Sequence, residues 1–127
     1  MDNTTHAISW FEIPTEDLGR AQKFYEAIFD TKLTAMDMEG IQMAMFPGDG
    51  ESGMISGALI KMDSTKPSAE GSMVYLNANP SINTVIDRIE GAGGKVLMPR
   101  TLIAEGMGYM GVFSDTEGNR VGLHSMD

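Results

Sequence analysis

Apolar, aromatic and β-branched residues crowd the stretch from His6 to Ile13 (HAISWFEI), which predicts a first strand that Pro14 ends. The spacing then changes. Leu18, Ala21, Phe24, Tyr25, Ile28 and Phe29 recur at helical intervals. Thr15 is the predicted N-cap, and Glu16 and Asp17 occupy the first turn, where the helix dipole favours carboxylates. Strands are predicted at Thr31 to Met38, Gly40 to Phe46 and Ile55 to Lys61, with a glycine-rich loop at Pro47 to Gly53. Asp63 to Gly71 is polar, holds a proline and predicts a linker. The order then recurs. A strand spans Ser72 to Ala78, and Asn79-Pro80 predicts a cap with proline at the first helical position. Ile82, Val85, Ile86, Ile89 and Ala92 form a helical stripe that Gly93 and Gly94 stop. Strands follow at Lys95 to Met98, Tyr109 to Ser114 and Arg120 to His124, the last after a turn at Asp115 to Gly118.

The two helical stripes register with each other. Leu18, Ala21, Tyr25 and Ile28 fall opposite Ile82, Val85, Ile89 and Ala92 at one constant offset. Strand, helix and three strands, occurring twice, is an internal duplication. It predicts an α+β fold of two βαβββ modules within one domain, residues 1–127: module one at about 5–62, the linker at about 63–71 and module two at about 72–127. Periodicity alone also permits a ferredoxin-like arrangement, but the extra strand in each half argues against it.

Composition narrows the function classes. Hydrophobic residues make up 42% of 127, enough for a core. The net charge of −9, from 18 acids against 9 bases, argues against nucleic acid and against docking on an anionic membrane. It says little about a small molecule, because a pocket can differ from the net field. Without cysteine there is no disulfide, no thiolate metal site and no cysteine nucleophile. The N-terminal residues lack the features of a signal peptide, and no apolar run approaches the roughly 20 residues that span a bilayer, so the expected location is the cytoplasm. The 12 methionines suit a soft core or a plastic apolar cavity, and the two are compatible. No GxGxxG before a helix, P-loop, HExxH or GxSxG motif is present.

Two stretches carry a resemblance. Phe11 to Tyr25 (FEIPTEDLGRAQKFY) resembles the strand, Asp-Leu, Arg-Ala and Phe-Tyr run of the vicinal oxygen chelate (glyoxalase/bleomycin-resistance/dioxygenase) superfamily. Phe113 to Leu123 (FSDTEGNRVGL) resembles its Asp-Pro-Asp-Gly-Asn turn, with Thr116 where proline is usual. The resemblance implies two modules forming a curved, incomplete sheet barrel, helices on its outer face, and a divalent metal in the cleft. It also implies a homodimer. The family's four metal ligands are His, Gln or Glu, from the first and last strands of each module. Carried over, they fall at Ile8, Met73, Gly122 and either Gly57 or Ala58. None of these offers nitrogen or oxygen from its side chain to a divalent ion. The expectation is therefore no cofactor at the usual site. Glyoxalase I chemistry is disfavoured, because enediolate stabilisation there depends on the metal.

A displaced metal site at His6 and His124, with Glu12, stays open as the alternative. Strand alternation puts both histidines on the inward face, though each also suits a solvated chain end. Alternation points Ile8, Trp10 and Glu12 inward, with Met73, Tyr75 and Asn77 from strand five and Arg120 and His124 from strand eight. Ile8, Trp10, Met73, Tyr75, Asn77 and Arg120 are the candidate ligand-binding residues, apolar walls with a few orienting polar groups. Trp10 and Tyr75 equally suit packing. Glu12 either pairs with Arg120, stands solvated, or serves with His124 as the acid–base pair of a lyase, isomerase or dioxygenase-type enzyme. Thr101 to Gly108 is either a flap over the cleft or an ordinary connection. The expected partner is a small organic molecule, bound between the modules without the usual metal.

Overall fold

A computed structural model describes all residues, 1–127. Its elements run β1 (Trp10–Pro14), α1 (Leu18–Phe29), β2 (Thr34–Met38), β3 (Ile41–Met45), β4 (Ser56–Lys61), β5 (Tyr75–Asn77), α2 (Ile82–Ile89), β6 (Lys95–Ala104), β7 (Gly108–Ser114) and β8 (Arg120–Ser125). They form two four-stranded mixed sheets, ordered β1-β4-β3-β2 and β5-β8-β7-β6, which do not close into a barrel. In each sheet the first strand of the module pairs parallel with the last. The α+β fold of two βαβββ units is as expected.

Several boundaries move, each for a reason of pairing. β1 begins at Trp10, which aligns with Ser56 at the start of β4, and the residues before Trp10 have no ladder partner. His6 and Ile8 therefore precede the strand that was predicted to hold them. Met73 likewise precedes β5. Asp17 is the N-cap of α1, its carboxylate accepting the Arg20 amide at 3.0 Å. Thr15 is buried instead, donating its hydroxyl to the Ile60 carbonyl at 2.9 Å. Ser81 caps α2, so Pro80 lies before the helix, and the Ile82 amide donates to the Asp127 carbonyl at 3.0 Å. The suspected flap is the end of a β6–β7 hairpin, in which Thr101 pairs with Met110 and Ala104 with Gly108. Pro99 sits at an irregularity between Met98 and Thr101 on this edge strand, where a missing N–H is tolerated.

Alternation on β1 sends Ile13 and Phe11 to the helix side and leaves Trp10 and Glu12 exposed on the other. β5 repeats this, with Leu76 buried and Tyr75 and Asn77 exposed. α1 buries Ala21, Phe24, Tyr25 and Ile28, and α2 buries Ile82, Val85 and Ile89. The two helices pack against each other, and one core cluster draws on both modules. Phe113 of β7 meets Phe24 and Tyr25 of α1, with ring centroids 5.8 and 6.1 Å apart.

The Asp115–Asn119 turn fastens module two to the start of α1. Asp115 accepts from the Tyr25 hydroxyl at 2.8 Å, and Asn119 donates to the Pro14 carbonyl at 2.8 Å. Glu117 accepts the amides of Glu16 and Asp17 at 2.9 and 2.7 Å and a two-pronged contact from Arg20 at 2.7 and 3.0 Å. Burial pushes the Glu117 carboxyl up, but the bonds from Arg20, the Asp17 amide, Thr116 and the Glu16 amide outweigh it and hold its pKa at about 2, against 4.5 when free. A depressed folded pKa stabilises above the unfolded value and is lost as pH falls toward the folded one. Glu117 thus contributes fully above about pH 5 and progressively less between 4.5 and about 2. Arg20 is half exposed, so solvent screening limits the contribution to about 1–2 kcal/mol. Denaturant unfolding at pH 6 and pH 3 measures it. Glu117→Gln should be less stable at pH 6 and lose less on acidification; an unchanged acid response would refute the assignment.

Candidate functional site

The segment 72–77, which ends in β5, borders two hollows. The larger, about 780 Å³, lies between the modules. Phe11, Phe29, Phe46 and Ile55 wall it from module one, and Val74, Tyr75 and Leu76 from module two. Ile8, Met73, Tyr75 and Asn77, four of the expected ligand-binding residues, line it together. Ile8 does so from the segment ahead of β1, and Met73 from the segment ahead of β5. Phe29, Thr31, Phe46 and Ile55 were not expected there. They lie at the ends of α1, β3 and β4, where strand alternation gives no direction.

The smaller hollow, about 190 Å³, is polar. Glu12, Lys66, Glu70, Asn119 and Arg120 line it, and Ser72 and Val74 are shared with the larger one. Glu12 and Arg120 face this hollow without forming an ion pair; the ion pairs are Arg20–Glu117 and Arg100–Asp127. The Glu12 carboxylate instead accepts the Trp10 indole N–H at 3.3 Å, and Arg120 reaches the Met73 sulfur at 3.8 Å. Trp10 is 42% exposed and stands outside both hollows.

The histidines have different surroundings. His6 is exposed in the segment before β1. His124, on β8 opposite Asn77, has its Nε2 2.8 Å from the Met107 carbonyl. It follows Arg120 by four residues, about 13 Å along a strand, so Glu12 and His124 stand toward opposite ends of β8.

Pairing fixes the position on β4 that sequence left between two residues. Gly57 pairs with Phe11 and faces the helix side, where a Cβ would meet the Phe11 ring at 2.5 Å. Ala58 pairs with Glu12 and takes the opposite face. At Gly122 a Cβ would meet the Tyr75 ring at 2.5 Å. A carboxylate ligand cannot extend from that position unless Tyr75 moves. Ile8, Met73, Ala58 and Gly122 therefore do not fit a hard divalent ion, by donor chemistry and, at Gly122, by space.

Residues 7–123 match the Glyoxalase/Bleomycin resistance protein/Dioxygenase superfamily. The chain belongs to that superfamily. No curated protein matches it. Among solved structures it is similar to a hypothetical protein from S. aureus (19% identity, 95% of this chain and 94% of that one, TM-score 0.61). It is also similar to a glyoxalase I mutant from Zea mays (21% identity, 92% of this chain, TM-score 0.69), of which it spans 46% of the length. A third is a genomically encoded fosfomycin resistance protein from Listeria monocytogenes (16% identity, 96% and 92% coverage, TM-score 0.63). At these identities the superfamily members share its fold. No helix of the chain is long and apolar enough to cross a membrane.

Proposed function

We propose that this superfamily member binds a small organic molecule between its modules, without a divalent metal at the superfamily's usual position. The observation that carries the reading is the convergence of Ile8, Met73, Tyr75 and Asn77 on one hollow of about 780 Å³, a size that suits a small ligand. The donor-poor residues at the usual metal positions support the metal-independent half. An acid–base enzyme using Glu12 and His124 has less support, because the two stand toward opposite ends of β8.

Thermal-shift screening of a small-molecule library tests binding. A ligand present at about 100 times its Kd should add about 2.7 kcal/mol of stability. Tyr75→Ala should reduce that gain, since the ring forms part of the wall. A library that leaves the melting midpoint unmoved, with the hollow filled by its own side chains in a crystal structure, would defeat the proposal. Stoichiometric metal in dialysed protein, found by elemental analysis, would defeat its metal-independent half.

A further inference from the structure

We infer that the large hollow selects an uncharged, mainly apolar molecule carrying a carbonyl or ether oxygen, and discriminates against anions. The inference deepens the binding proposal and rests on it. None of the 15 lining residues is charged. Its polar groups are hydroxyls and amides, on Thr31, Ser56, Ser72, Tyr75, Asn77 and Asn79. An anion entering it would lose hydration with no cationic side chain in the wall to replace it, and desolvating an unpaired charge is costly. The charged groups Glu12, Lys66, Glu70 and Arg120 gather in the other hollow, beyond the shared Ser72 and Val74.

The hydrogen-bond inventory leaves donors free for an acceptor atom on the ligand, the Thr31, Ser72 and Tyr75 hydroxyls among them. The Asn77 side-chain oxygen is already taken by the Asn79 amide and side-chain N–H groups at 2.9 and 2.8 Å. The Ser56 hydroxyl is turned to the Phe46 and Pro47 carbonyls at 2.9 and 3.1 Å. The Asn77 side-chain NH₂ makes no hydrogen bond within the chain and is a donor, so it suits an acceptor on the ligand.

A matched pair of dyes tests this. N-phenyl-1-naphthylamine is uncharged, and 1-anilinonaphthalene-8-sulfonate is the same framework with a sulfonate. Both are titrated into the full chain in about 1 M salt, where the Debye length of about 3 Å removes most of the repulsion from the net charge. The uncharged dye should bind about tenfold tighter. Asn77→Lys, which puts a cation in the wall, should narrow or reverse that preference. If Asn77→Lys does not fold, Thr31→Lys makes the same test from module one. Equal affinity for the two dyes, or a preference unmoved by the added lysine, would overturn the inference and leave binding itself standing. If neither dye binds, the inference falls, and the library screen with the crystal structure decides the binding proposal separately.

Discussion

Asp115→Ala should lower the unfolding free energy by about 3–5 kcal/mol, a very large effect for a residue in a turn. Asp115 is 5% exposed, and its carboxylate accepts four hydrogen bonds. One comes from the Tyr25 hydroxyl, one from the Asn119 side chain, and two from the amides of Glu117 and Asn119. Alanine leaves these donors without an acceptor, and each buried orphan costs about 1–3 kcal/mol, partly relieved by relaxation. The Tyr25 phenol does not become an acceptor by ionising in the variant, because burial, the leading cause of its raised pKa, persists without Asp115. Tyr25→Phe removes one donor cleanly and should cost much less. The double variant should then cost less than the sum of the two, because the same contact is lost only once. Chemical denaturation of all four proteins measures the cycle. A loss below about 1 kcal/mol for Asp115→Ala would mean that water reaches the turn and replaces the carboxylate.

Phe113→Ala should cost a similar amount, about 3–5 kcal/mol, through the cavity it leaves. Its position makes the experiment informative about the modules. Phe113 belongs to module two, yet its ring packs on Phe24 and Tyr25 of module one. Trp10, the only tryptophan, reports on module one alone. If the shared core makes folding cooperative, Trp10 fluorescence and far-UV circular dichroism should shift together to the same lower midpoint. A tryptophan midpoint unmoved while the dichroism shifts would show that the modules unfold separately.

The duplicated architecture was legible because periodicity survives local error. The stripe through Ala21, Tyr25 and Ile28 and that through Ile82, Val85 and Ile89 are the buried faces of α1 and α2. The opposing faces of β1 and β5 followed from alternation in the same way. What sequence could not supply was where a strand stops having a partner. His6 looked like strand by composition, but nothing pairs with it, because β4 begins only opposite Trp10. Caps failed for a related reason. Thr15 and Asp17 are both good capping residues, and a tertiary bond from Thr15 to Ile60 decides between them. The hollow was half legible. Its β5 wall came from alternation, whereas Phe29, Phe46 and Ile55 come from element ends brought together by folding. The Glu12–Arg120 pair failed because Trp10, two residues from Glu12, offers a donor on the same face of β1.

The internal repeat gives this molecule two equivalent joints that have diverged. One lies where the connection before β8 meets module one, and Asp115, Glu117 and Asn119 bolt it to Tyr25, Arg20 and Pro14. The matching connection before β4 supplies Pro47 and Ile55 to the rim of the large hollow opposite β5, where no such bolt is made. The two joints are therefore fastened by different chemistry: buried polar bonds tie the modules together at one, and residues lining an open hollow stand at the other.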